Sequence, residues 1–222
     1  MKTRQIEMKF RTHGGKRRNA GRKPTGSKRN GPEHRTRVRF KSVRPCHVTL
    51  RCLAGLPNLR EKKNYAAMKE TLRAASERLD VRIVHFSVQR NHLHLIVEAE
   101  SWQALSAAMK GLEVRLAKAI NRLANRKGRA FKHRYDVKLL GTPGQVRATL
   151  VYVLANSKKH ARQAGVTLPG GWIDPRSSAP WFDGWANGPP PSNESWPRAK
   201  TWLLGKAWQK HGMIRVNEAP RV

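Results

Sequence analysis

The chain has 222 residues, with 46 Lys and Arg against 14 Asp and Glu, a formal charge of +32. That length accommodates one domain with a real core plus tails, and that charge calls for a polyanionic partner, nucleic acid by default. No apolar run approaches the ~20 residues of a bilayer span, and MKTRQIEMKFRTHGGKRR lacks the apolar stretch of a secretory signal.

Hydrophobic residues make up 38% of the chain, so part of it is expected to stay outside the core. An anionic membrane surface would also attract such charge, but no basic amphipathic helix with an aromatic face is visible. The two cysteines, Cys46 and Cys52, fall in one apolar run on the same side of a strand. That placement suits reduced core thiols rather than a disulfide. Reduced thiols fit a cytoplasmic protein, and a DNA partner would make it nucleoid-associated. Without a Cys-x-x-Cys pair, a structural zinc site is not expected.

Residues 1–43 form the first expected segment. Its first 41 residues hold fifteen Lys and Arg and two acidic residues, a net of +13. With so many Gly, Asn and Pro, it cannot bury a core and reads as a basic DNA-binding tail. Arg17, Arg18, Arg22 and Lys23 are its candidate phosphate contacts. Gly21-Arg22-Lys23-Pro24 loosely resembles arms that enter A·T-rich minor grooves, although a nonspecific basic arm explains it more simply.

Patterning begins near Pro45. Residues 46–53 alternate and predict a strand. Residues 59–79 predict a helix with Tyr65, Met68, Leu72 and Leu79 at helical spacing. Residues 81–89 and 92–98 predict a hairpin turning at Arg90 and Asn91. Ser101 is a candidate N-cap for a helix over 102–124. Residues 130–140 predict a strand, and Gly141-Thr142-Pro143 opens a third helix over 143–162. The first six elements give an α+β, ferredoxin-like βαββαβ antiparallel sheet with two helices on one face. The third helix is added to it. Residues 44–165 form this domain. Residues 166–222 form a Pro- and Trp-rich extension, running extended with its tryptophans packed on the domain or stacked on bases. Packing is the stronger expectation, with a short helix over 199–210.

Two places carry chemistry. In the strand 92–98, Leu93, Leu95 and Val97 take the core face, and His92, His94, Ile96 and Glu98 the other. Two imidazoles at i and i+2 can share one divalent cation, but a bare His-x-His is also common on surfaces. In the third helix, Tyr152 lies off the apolar stripe of Val146, Leu150, Val153 and Leu154. Asn156 at i+4 and Lys159 at i+7 extend its polar face. A hydroxyl nucleophile, an amide oxygen and two imidazoles make a set suited to metal-assisted phosphodiester attack. Lys159 could neutralise charge on the phosphate. Tyr135 is a rival nucleophile without a polar partner one turn away. His85, on the facing strand, could approach a metal, and Arg90 and Asn91 could touch phosphate or only shape the turn.

VHFSVQRNHLHLIVEAE resembles the His-hydrophobic-His motif of HUH endonucleases. GRAFKHRYDVKLL and RATLVYVLANSKKHARQAG resemble the second half of the REP-associated tyrosine transposases, relatives of the single-strand insertion-sequence transposases. The resemblance spans roughly residues 44–165. It implies a ferredoxin-like sheet, Tyr152 as nucleophile, and Mg²⁺ or Mn²⁺ held by His92, His94 and Asn156. It further implies cleavage and rejoining of single-stranded or hairpin DNA through a 5′-phosphotyrosine. Many members carry Asn-Pro where this chain has Asn156-Ser157. Serine continues a helix better than proline, so a longer catalytic helix is expected. The rival expectations are a non-catalytic DNA-binding module or an RNA-binding sheet, the latter weakened because residues 92–98 lack a stacking aromatic. Monomer or homodimer is left open.

Overall fold

The computed structural model describes residues 39–78, 80–193 and 196–220. Arg17, Arg18, Arg22 and Lys23 lie outside the described residues. The elements are β1 (Arg44–Arg51), α1 (Lys62–Ala75), β2 (Glu77–Arg78), β3 (Val81–Val88), β4 (His92–Ala99), α2 (Trp102–Leu123), β5 (Asp136–Leu139), α3 (Pro143–Leu154), α4 (Asn156–Gln163) and α5 (Trp202–Gly205).

The sheet order is β2-β3-β4-β1-β5, all neighbours antiparallel. With the two-residue β2 set aside, this is the ferredoxin-like βαββαβ sheet. Alternation decides what each face meets. Cys46, Val48 and Leu50 of β1 and Leu93, Leu95 and Val97 of β4 point to α1 and α2. There they join Met68 and Leu72 of α1 and Met109, Leu112 and Leu116 of α2 in one core. Both cysteines are free and buried. Burial pushes the Cys46 thiol up to about 12 and that of Cys52 to about 11, so neither is a ready nucleophile.

The opposite face is also covered. Val84 and Ile96 pack with Leu150 and Leu154 of α3 and with Phe182, Leu204, Trp208 and Ile214 of the extension. As expected, the extension is mostly irregular and its tryptophans pack. Trp181 and Trp196 stack on each other at 5.6 Å, and Trp208 is 2% exposed. Trp202 is the exception, at 61% exposure. Polar anchors fix this cover. The buried Glu98 carboxylate accepts the backbone N–H groups of Lys200 and Thr201 and the Thr201 hydroxyl. Arg60 forms a two-pronged pair with the buried Asp174.

Several boundaries differ from the sequence pattern: β1 lies two residues earlier, α1 ends at Ala75 with residues 77–78 in β2, and the short C-terminal helix is only Trp202–Gly205. α1 starts at Lys62 because Asn58 takes the N–H groups of Arg60 and Glu61 into a turn. β5 starts at Asp136 because the chain leaves the sheet after Phe131, which bridges Cys52, to bury Tyr135. The expected long catalytic helix is two helices, broken at Ala155 (φ −115°, ψ 15°). Asn156 and Ser157 are buried there. Both side-chain types compete with the helical ladder for backbone partners, which makes them weak helix continuers.

Candidate active site

The site lies where β1 and β4 face the junction of α3 and α4. Gln89 N–H donates to His92 C=O across a two-residue turn at Arg90 and Asn91, which starts β4 at His92. The Asn91 side chain turns back onto His92, with its Oδ1 2.9 Å from Nδ1. If Nδ1 donates in that contact, Nε2 of His92 keeps its lone pair free.

His94 is 4% exposed. Its Nδ1 lies 3.2 Å from His47 Nε2 and 3.2 Å from Thr49 Oγ1, while its Nε2 is buried without a partner. The rings of His92 and His94 are 4.8 Å apart, as expected for alternate residues of one strand.

Thr142 caps α3 by accepting the Gln145 N–H, and Pro143 opens it. The Val146, Leu150, Val153 and Leu154 stripe is buried, which leaves Tyr152 half-buried at its edge. The Tyr152 ring meets His94 edge-on at 5.0 Å and His47 at 5.8 Å. Beyond the break, His160 brings its ring to 6.0 Å from His92, and Lys159 places its ammonium 6.0 Å from the Tyr152 ring centre. Asn156 sits in sequence midway between Tyr152 and His160, the two residues of this stretch that touch the histidine pair. It is 1% exposed, and neither its Oδ1 nor its Nδ2 has a partner.

The electrostatics keep the imidazoles neutral. Burial pushes His94 down to about 2, with His92, His47 and His160 adding to the effect. His92 is lowered to about 4 by burial, then by His160 and Arg51. His47 is lowered to about 4 by burial, opposed by Asp136 and aided by Lys138. Neutral imidazole is the form that ligates a metal.

Among the described residues, no three or more His, Cys, Asp or Glu are grouped to hold a metal. A cation here would therefore need the Asn156 amide oxygen beside His92 and His94. The donor set fits that demand, because His94 Nε2 and Asn156 Oδ1 are buried polar atoms without partners, and such atoms ordinarily find one. Of the alternatives, Tyr135 is a core residue at 5% exposure. His85 points into the extension instead, towards Ser178 and Phe182.

Among known proteins, the family model for IS200-like transposases matches residues 47–156. The matched stretch begins at His47 and ends at Asn156, the first and last residues of the cluster in chain order except for Lys159 and His160.

The chain is a member of the IS200-like transposase family.

Its family is one of DNA-transposing enzymes. No curated protein matches it. Among solved structures, it is similar to a REP-associated tyrosine transposase bound to a REP hairpin. The identity is 15% and the TM-score 0.46, covering 57% of this chain and 73% of that one. Among the described residues, no helix is long and apolar enough to cross a membrane.

Sequence reasoning missed His47, Thr49 and His160. The alternation that sends Cys46, Val48 and Leu50 into the core also sends His47 and Thr49 to the face of His94. Their meeting depends on strand register, in which Thr49 pairs with His94, and register is not written locally. His160, at i+4 from Asn156, had the same helical spacing that singled out Asn156.

Proposed function

We propose that this transposase cleaves and rejoins single-stranded, hairpin-forming DNA, in the manner of the REP-associated tyrosine transposases, with Tyr152 as nucleophile. The observation that carries this reading is the edge-on contact of Tyr152 with His94, whose Nε2 is buried without a partner, as is the amide of Asn156 four residues after the tyrosine.

His92, His94 and Asn156 would hold a divalent cation, Mg²⁺ or Mn²⁺. Bound there, it would supply Lewis-acid polarisation of the scissile phosphate. Tyr152 Oη attacks phosphorus and gives its proton to solvent. The P–O3′ bond breaks, and the departing 3′ oxygen takes a proton from solvent. A 5′-phosphotyrosine and a free 3′-hydroxyl result, and the phosphoester bond is conserved for rejoining to another 3′-hydroxyl. Lys159 offsets the extra negative charge that develops on the phosphate.

The test is a denaturing gel of labelled single-stranded hairpins, drawn from DNA flanking the gene and incubated with the protein and Mn²⁺. A protease-sensitive covalent adduct, lost with chelator, is the expected result. Tight hairpin binding with no adduct under any metal would overturn the catalytic reading in favour of a binding module.

A further inference from the structure

His47 has no part in the chemistry above, yet it touches both halves of it. Its Nε2 is 3.2 Å from His94 Nδ1, and its ring is 5.8 Å from that of Tyr152. Thr49, directly opposite His94 in the β1–β4 register, brings its hydroxyl to the same Nδ1. His47 pairs with Ile96 and so reaches His94 along the diagonal between the strands.

The proton of a neutral His94 can sit on either ring nitrogen. On Nε2 it would form a buried N–H with no acceptor, while Nδ1 faced two polar groups. On Nδ1 it has two acceptors, Thr49 Oγ1 and a His47 Nε2 whose own proton sits on its Nδ1. The Nε2 lone pair of His94 then stays free, and the unpartnered Asn156 Oδ1 has the same acceptor character. One arrangement accounts for the contacts at Nδ1 and for both unpartnered acceptors.

We infer that His47, together with Thr49, is a positioning residue that holds His94 as its Nδ1–H tautomer, keeping Nε2 available to a divalent cation, and that braces the Tyr152 ring beside it. This inference rests on the metal-dependent reading above. A ligating imidazole commonly donates its other N–H to such a partner, which fixes both tautomer and ring orientation.

The test uses the full chain and two readouts that need no DNA. Nitrogen-15 spectra of the metal-free protein report the His94 tautomer, and Mn²⁺ titration followed by electron paramagnetic resonance reports affinity. The wild type should show His94 protonated at Nδ1. His47→Phe combined with Thr49→Val should lose that preference and weaken Mn²⁺ binding roughly tenfold to a hundredfold, the usual effect of removing such partners. His47→Gln, which restores an acceptor, should recover most of the affinity. If the double variant does not fold, His47→Gln and Thr49→Val singly still report the tautomer. Wild-type His94 protonated at Nε2 would overturn the inference. So would Mn²⁺ affinity equal in wild type and variants, with the metal-dependent reading left standing. A wild type that binds no Mn²⁺ would overturn both.

Discussion

The Tyr152 ring stands edge-on to the His94 ring at 5.0 Å and 79°, within one chain. The contact joins an added helix to the central sheet. It is held from behind by the extension, where Arg147 of α3 donates to the carbonyls of Gly212 and Met213 and pairs with Glu218. Tyr152→Phe keeps the ring and its packing and removes only the hydroxyl. The expected outcome is complete loss of the covalent DNA adduct, with hairpin affinity and melting temperature unchanged. Gel analysis beside a binding isotherm checks it, and an adduct formed by the Phe variant would exclude Tyr152 as nucleophile.

Asn156 is buried at 1% exposure with both amide atoms unpartnered, a poor choice for stability alone. Leaving such a group unsatisfied costs about 1–3 kcal/mol. Asn156→Leu, close to it in shape, should therefore stabilise the metal-free protein by a figure of that order while abolishing Mn²⁺-dependent cleavage. Urea denaturation and the adduct gel measure the two effects. A destabilised variant would mean that the amide has a structural partner.

The sheet and its helices were legible because each element carries its own period, 3.6 for α1 and α2 and two for β1 and β4, and for β3 on either side of its register shift between Ile83 and His85. His92, His94, Tyr152 and Asn156 were legible for the same reason, as spacings within one strand and one helix region. His47 was not, because its role arises from strand pairing that brings it to His94, 47 residues along the chain. The break at Ala155 was also missed. It follows from burying Asn156 and Ser157, a tertiary preference that overrode the helical pattern running through them.

The basic arm is expected to act through phosphate neutralisation. For single strands, the logarithm of affinity falls with the logarithm of salt at a slope of about −0.7 per neutralised phosphate. Replacing Arg17, Arg18, Arg22 and Lys23 with Ser should weaken hairpin binding and flatten that slope by up to about 3. Cleavage per bound complex should stay unchanged. Fluorescence anisotropy from low to high salt reads the slope, and an unaltered slope would remove these residues from the interface.

His85 lies on the covered face away from the site, with its ring edge-on to Phe182 at 5.5 Å and its Nδ1 3.4 Å from Ser178 Oγ. Burial pushes it down to about 4 from the ordinary 6.5. Between those values the unfolded chain binds a proton that the folded chain refuses, so stability is full above about pH 6.5 and falls as pH drops towards 4. The whole loss is on the order of 3 kcal/mol for this residue. His85→Phe should make the decline of melting temperature between pH 7 and pH 4.5 shallower. An equally steep decline in the variant would assign the acid sensitivity to other groups.

Asp174 holds the extension to the α1 side of the domain. Its side chain is fully buried and takes two bonds from Arg60, itself a quarter exposed, while it also accepts the Arg176 N–H. The Arg60 guanidinium further donates to the Val88 carbonyl at the end of β3, so the pair ties loop, strand and extension together. Asp174→Ala strands the arginine and empties the acceptor that shapes the 174–178 turn. Breaking a buried pair costs 3–5 kcal/mol, and the partial exposure of Arg60 puts this case near the low end, about 3 kcal/mol. The double replacement Arg60→Met with Asp174→Ala should recover part of that loss, since it leaves no unpaired charge. Denaturation of the single and double variants separates the two contributions. A single variant as stable as wild type would show that apolar packing of Phe182 and Trp208, rather than this pair, secures the extension.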